Sequence, residues 1–149
     1  MRSAQNIEVS RWRWRTPLTI LSITLFLLAL TQPAFFWGQA ASSTGPSGRV
    51  LLQGWRGLTA GYVEWLANPL LLLAWVLTLR RHRSPSLAPL ISAAAAVTLM
   101  LVFLCRQTLR LPSGSADAAA ILTYGVGYWL WLVSGLTGLI ANWRPRPSI

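Results

Sequence analysis

Residues 57–83 read GLTAGYVEWLANPLLLLAWVLTLRRHR, an apolar run from Gly57 to Leu79 that contains one acid, Glu64, and is closed by Arg80, Arg81, His82 and Arg83. A helix needs about 20 predominantly apolar residues to cross a hydrocarbon core about 30 Å thick. This run has that length. The basic cluster that ends it is the kind of segment membrane proteins keep in the cytoplasm. The stretch therefore predicts a transmembrane helix with its C-terminal end inside.

Three further runs lie to either side: Pro17 to Trp37, Leu87 to Cys105 and Ala118 to Ala141, none with an arginine in its interior. The short basic turn between the second and third runs makes them antiparallel neighbours. Together the runs predict an all-α fold, an integral membrane bundle of four transmembrane helices forming a single domain over residues 1–149. The segment 38–56, with Ser42 to Gly48 as a flexible stretch, is the outer loop. Arg106 to Asp117, turning at Pro112, Ser113 and Gly114, is the second outer loop. Composition agrees: 54% of residues are hydrophobic and 11% charged, with a mean hydropathy of +0.49, against about 25% charged in an average soluble domain.

A net charge of +10 would suggest nucleic acid in a soluble protein. Here every basic residue is an arginine, and all lie between or at the ends of the apolar runs, where they meet headgroups and set orientation. With the N-terminus inside, Arg2, Arg11, Arg13, Arg15, Arg80, Arg81, Arg83, Arg144 and Arg146 fall on the cytoplasmic side, and only Arg49, Arg56, Arg106 and Arg110 on the other. The positive-inside rule thus puts both ends in the cytoplasm. The expected location is a multi-pass position in a bacterial inner membrane, with the lipid bilayer as partner and no nucleic acid. Trp12, Trp14, Trp37, Trp55 and Trp143 fall at or just beyond run ends, as interfacial tryptophans do. The first run, preceded by Arg11 to Arg15 and followed by Gly38-Gln39-Ala40, has features of a secretory signal, but it exceeds the roughly 7 to 15 apolar residues of one, and its retention is expected.

Polar residues inside the runs are where function would reside. Glu64 lies about 10 Å in from the outer end of its run, where an ionised carboxylate costs several kcal/mol unless paired or protonated. At helical spacing Gly57, Gly61, Glu64, Asn68 and Trp75 share one stripe, with Gly57 and Gly61 as a small-xxx-small pair for close packing. Pro69 frees the carbonyl of Trp65 and is expected to bend the helix there. Counting residues from the run ends sets Gln32, Glu64, Thr123 and Tyr124 at one level near the outer surface, with Arg106 able to reach it. That polar cluster either holds the bundle together or moves a proton or a cationic substrate through Glu64. Ser134 and Gly138 form a second small-xxx-small pair, Ser92 and Ala96 a third.

One cysteine, Cys105, and one histidine, His82, exclude an intramolecular disulfide and leave too few ligands for a Cys/His metal site or a bis-His haem within one chain. No catalytic residues and no cofactor are expected, and an intramembrane enzyme is the least favoured class. The residues expected are instead a non-enzymatic membrane subunit or scaffold that packs with itself as a homo-oligomer or with a membrane protein partner. The alternative is a small oligomeric transporter or proton-linked permease using Glu64.

The segments WLANPLLLLAW (65–75) and GVGYWLWLVS (125–134) resemble recurrent segments of small bacterial inner-membrane proteins with four helices, a group of unknown function. The resemblance implies the four-helix plan and no activity. The small multidrug resistance transporters share that plan and an essential membrane glutamate; theirs lies in the first helix, whereas Glu64 lies in the second, and no motif is shared.

Overall fold

The computed structural model describes residues 2–37, 42–43, 47–80, 87–106, 108–110 and 118–143. The expected basic turn at Arg81, His82 and Arg83, the turn at Pro112 to Gly114, and Arg144 and Arg146 lie outside these residues.

The chain is mostly helical. Four helices carry the apolar runs: α1 (Arg2–Thr31), α3 (Ala67–Arg80), α4 (Ala88–Leu104) and α5 (Val126–Asn142). A short α2 (Ser47–Gln53) lies between the first and second. Trp14–Thr31 and Val63–Arg80 are each long and apolar enough to cross a membrane. The other two, α4 and α5, have 17 residues each, about 26 Å at 1.5 Å per residue, the lower end of the spanning range.

The core is apolar and aromatic: Phe26 from α1, Leu71 and Trp75 from α3, Ala96 and Met100 from α4, and Tyr128 and Leu132 from α5. Phe26 meets Trp75 edge to face, with ring centroids 5.3 Å apart. Several polar groups within this core are paired across helices, as burial favours, although Ser134 Oγ has no hydrogen-bond partner among the described residues. Trp75 Nε1 donates to Ser22 Oγ (2.9 Å), and Ser22 Oγ donates to the Ser134 carbonyl (2.7 Å). Ser92 Oγ donates to the Leu70 carbonyl (2.7 Å).

The small residues of α5 and α4 serve this packing within one chain. A Cβ on Gly138 would lie 3.1 Å from Ser22 Oγ and 3.6 Å from Trp75 Nε1, and one on Gly135 2.6 Å from Met100 Sδ. Ser134, Ser92 and Ala96 are buried on the same inner faces. The outward faces are apolar and exposed in every long helix: Ile20 and Leu27 in α1, Leu72 and Val76 in α3, Ile91 and Leu101 in α4, Val133 and Ile140 in α5.

At the end where α1 and α4 finish and α5 begins, the chain forms a small antiparallel sheet in the order β2-β1-β4-β3. Its strands are β1 (Phe35–Trp37), β2 (Ser42–Ser43), β3 (Thr108–Arg110) and β4 (Ala118–Tyr124). This cap alters three of the expected boundaries.

The fourth run is a helix only from Val126. Residues 118–124 pair with β3 on one side and β1 on the other, Phe35 opposite Tyr124 and Phe36 opposite Thr123. Ile121, Thr123 and Tyr124 are β-branched or aromatic and suit a pleated surface. Gly125 then caps α5 with extended backbone (φ −82°, ψ 173°). The first helix stops at Thr31, because Pro33 disfavours helical backbone in the residue before it. The outer segment is also more structured than a loop, since α2 begins at Ser47.

The second run changes most. Residues Gly54–Ala60 form a 3-10 helix that ends at Gly61 in left-handed backbone (φ 83°), and a second 3-10 helix, Val63–Leu66, leads into α3. Gly57 and Gly61 are therefore not a helix-packing pair, and the stripe joining them to Glu64 and Asn68 does not exist. A Cβ on Gly57 would meet Tyr62 of the adjoining turn. Pro69 does not bend a long helix. It sits in the first turn of α3, a position that helices tolerate for proline.

This geometry reverses the sign of one substitution. In a helix Gly61→Ala would stabilise by about 1 kcal/mol. At φ 83°, with open space around a Cβ, it is expected to destabilise by about 1 to 2 kcal/mol. A thermal midpoint in detergent that rises for Gly61→Ala would restore the helical reading.

Candidate functional site

Beneath the cap lies an ion pair between the start of α3 and the end of α4. The second 3-10 helix turns Glu64 inward, where it is 3% exposed. Arg106 follows the last turn of α4, which is closed by i to i−3 hydrogen bonds from Cys105 N to the Val102 carbonyl (3.0 Å) and from Arg106 N to that of Phe103 (3.1 Å). Its Nε donates to Glu64 Oε1 at 2.5 Å and its Nη2 to the Gly61 carbonyl at 3.1 Å. The guanidinium also stands 4.8 Å from the centre of the Tyr62 ring, within cation–π range.

One side chain thus holds three points of the break between the two 3-10 helices. Lysine could not do the same, because the planar fork aims its donors at two acceptors at once. The hydrogen bond to Glu64 raises the Arg106 pKa above the ordinary arginine value, with burial acting the other way. A raised basic pKa stabilises at every pH below that ordinary value, so the arginine keeps its charge through the neutral and alkaline range. Glu64 Oε2, by contrast, is buried with no hydrogen-bond partner among the described residues.

The other members of the expected cluster separate. Asn68 is buried in the first turn of α3; its Oδ1 accepts from Trp131 Nε1 (2.9 Å), and its Nδ2 donates to the Trp65 carbonyl (3.2 Å). The latter is the carbonyl that Pro69 leaves free, so one asparagine satisfies it and also ties α3 to α5. The Tyr124 hydroxyl lies at the end of α4, within 2.8 Å of the Phe103 carbonyl and 3.1 Å of that of Arg106. It braces the backbone that presents the guanidinium, and burial holds its pKa above the ordinary tyrosine value.

Thr123 and Gln32 do not join. Both are exposed. Thr123 sits on β4 opposite Phe36. Gln32 contributes its carbonyl, which accepts from Ser47 N (2.9 Å) and Ser47 Oγ (2.5 Å). Depth alone could not separate Thr123 from Tyr124, because neighbouring residues of a strand point to opposite faces.

Three features escaped sequence reasoning. Tyr62 stacks on Arg106, visible only once the chain reverses at Gly61. Ser22 is the hub between Trp75 and Ser134; as a lone serine in a leucine-rich run it carried a weak signal. Asn142 is buried at the far end of α5, its Nδ2 on the Gly138 carbonyl (2.9 Å) and its Oδ1 2.9 Å from Thr78 Oγ1.

An open groove of about 310 Å³ lies beside the site, lined by Leu104, Arg106, Ile121, Leu122, Thr123, Tyr124 and Trp129. Glu64 does not line it. Among the described residues no three His, Cys, Asp or Glu side chains are grouped to hold a metal ion, and Cys105 is an exposed free thiol. The arrangement can brace a cap against a bundle. No protein-family model, no curated protein and no solved structure matches the chain, so any account of its function rests on these residues.

Proposed function

We propose that the chain crosses a bacterial inner membrane four times, with both ends in the cytoplasm and the cap outside, and acts as a non-enzymatic membrane subunit or scaffold. The membrane part of this reading rests on the exposed apolar faces of all four long helices. In water such a surface would drive association, while in a bilayer it is the ordinary outer face of a spanning helix. Arg49, Arg56, Arg106 and Arg110 then lie on the cap side, against nine arginines at the opposite end or in the segments that continue from it.

The scaffold part rests on one observation: Glu64, the acid buried among the described residues, is engaged by Arg106 and does not line the groove beside it. A carrier of protons or cations needs its acid free to exchange with a path. Because Ser134, Gly135 and Gly138 pack within the chain, a homo-oligomer or a membrane protein partner would have to use the outer faces or the cap.

Glu64 Oε2, without a hydrogen-bond partner among the described residues, favours a second reading, a proton-linked permease. Proteoliposomes loaded with a pH-sensitive dye separate the two. Under an imposed proton gradient, wild-type and Glu64→Gln vesicles are expected to acidify at the same rate. A wild-type rate that exceeds the variant's severalfold would overturn the scaffold reading.

A further inference from the structure

The outer segment Ser47–Ala60 has two unlike sides. Its inner side is fixed to the ends of two spanning helices. Ser47 donates from N and Oγ to the Gln32 carbonyl just past α1, and the Leu51 carbonyl accepts from Trp65 Nε1 (2.9 Å) just before α3. Leu51 itself packs on the core. The segment is thereby held at the level where the apolar bundle gives way to the cap.

Its outer side is the unusual one. Leu52 is 75% exposed and Trp55 54%, and they are flanked by exposed Arg49 and Arg56, with the Arg56 guanidinium 5.7 Å from the Trp55 ring. Steps of three place Arg49, Leu52 and Trp55 along one stripe as α2 passes into the 3-10 helix. No acid occurs in the segment: the three in the chain are Glu8, Glu64 and Asp117. A solvent-facing turn has no need of leucine and tryptophan beside two arginines. At a bilayer surface the same four residues are complementary to their surroundings, with the leucine and indole in the acyl–headgroup boundary and the guanidinium forks on phosphates.

We propose that Ser47–Ala60 is an interfacial anchor that lies in the outer headgroup layer and binds anionic phospholipid through Arg49 and Arg56. The anchor would fix the cap at the bilayer surface through the two helix ends to which the segment is bonded. This inference rests on the membrane reading above, and its test is built to fail separately from it.

The full chain carrying Cys105→Ser is labelled with an environment-sensitive fluorophore at Leu52→Cys or, as reference, at Leu21→Cys. Leu21 is exposed near the middle of the α1 span. Each is placed in phosphatidylcholine vesicles, with or without phosphatidylglycerol, containing nitroxide lipids labelled near the headgroup or deep in the acyl chain. The expected result is deep quenching at position 21 and shallow quenching at position 52, roughly twofold stronger from the shallow probe. Phosphatidylglycerol should strengthen the signal at 52, and Arg49→Gln with Arg56→Gln should remove that gain. Quenching at 21 without quenching at 52 overturns the anchor and leaves the spanning reading intact, as for a face covered by protein or water. No quenching at either position overturns the spanning reading. A signal at 52 indifferent to phosphatidylglycerol, or to the arginine substitutions, overturns the assignment of anionic lipid.

Discussion

Arg106→Glu is expected to abolish the stable folded protein in detergent, or to lower its thermal midpoint more than any other single change at the ion pair. The substitution removes the donor to Gly61 and sets a second carboxylate against a Glu64 that is 3% exposed. Breaking a fully buried pair costs about 3 to 5 kcal/mol. The Arg106 side chain is 32% exposed, which reduces that for simple removal to roughly 2 to 4 kcal/mol, and like-charge repulsion adds to it on reversal.

The asymmetry of burial makes the prediction sharper. Glu64→Gln leaves a guanidinium that can turn to water, so its cost should be small. Arg106→Gln leaves an unpaired carboxylate in a buried site, so its cost should be larger. The expected order of thermal midpoints is wild type, Glu64→Gln, Arg106→Gln, Arg106→Glu. The double variant Glu64→Gln with Arg106→Gln should lie above Arg106→Gln alone, since it removes the stranded charge. If Glu64→Gln proves the more damaging single change, the pair is not what secures the cap.

The second large effect is expected at Gly127. A Cβ there would lie 2.6 Å from Ser47 Oγ, 2.7 Å from the Gln32 carbonyl oxygen and 2.8 Å from that of Pro33. Two of these are backbone atoms held in place: Pro33 O accepts from Gly127 N (3.0 Å), and Gln32 O accepts from Ser47 N. Gly127→Val must therefore separate the start of α5 from the end of α1, losing those bonds and the adjoining β1–β4 pairing. A cost of about 3 kcal/mol or more follows. Gly135→Ala supplies the comparison, because its Cβ would meet the flexible Met100 side chain, which can shift, at a cost nearer 1 kcal/mol. Equal losses of thermal midpoint for the two variants would mean that the tight contact at Gly127 is not rigid.

Much of this architecture was legible in the sequence because it depends on local properties. Hydropathy over about 20 residues marks a run whatever its partners, so the four apolar segments and their order could be read directly. Residue counts from the run ends set Glu64 near the outer surface with Arg106 able to reach it, and the two are joined in the structure, although Glu64 lies in a 3-10 helix and not in a long α-helix. The asparagine beside Pro69 and the small residues of α5 also carried their chemistry in their identities.

What tertiary structure decided was where the helices stop and which polar groups meet. The run 118–124 is apolar enough for a helix, and only β1 and β3, both distant in sequence, make it a strand by pairing with it. The break at Gly61 is likewise unreadable from spacing, because Gly57, Gly61 and Glu64 suit a helical stripe equally well. A left-handed glycine, with the Gly61 carbonyl tied to Arg106, resolves the choice. Thus the sequence by itself determined the apolar segments, the charged residues that bound them and Arg106 as a candidate partner of Glu64, whereas the cap, the further tie from Arg106 to Gly61 and the separation of Gln32 and Thr123 from the pair came from long-range pairing. Hydrophobicity is a property each residue carries alone, and a hydrogen-bonded partner is not.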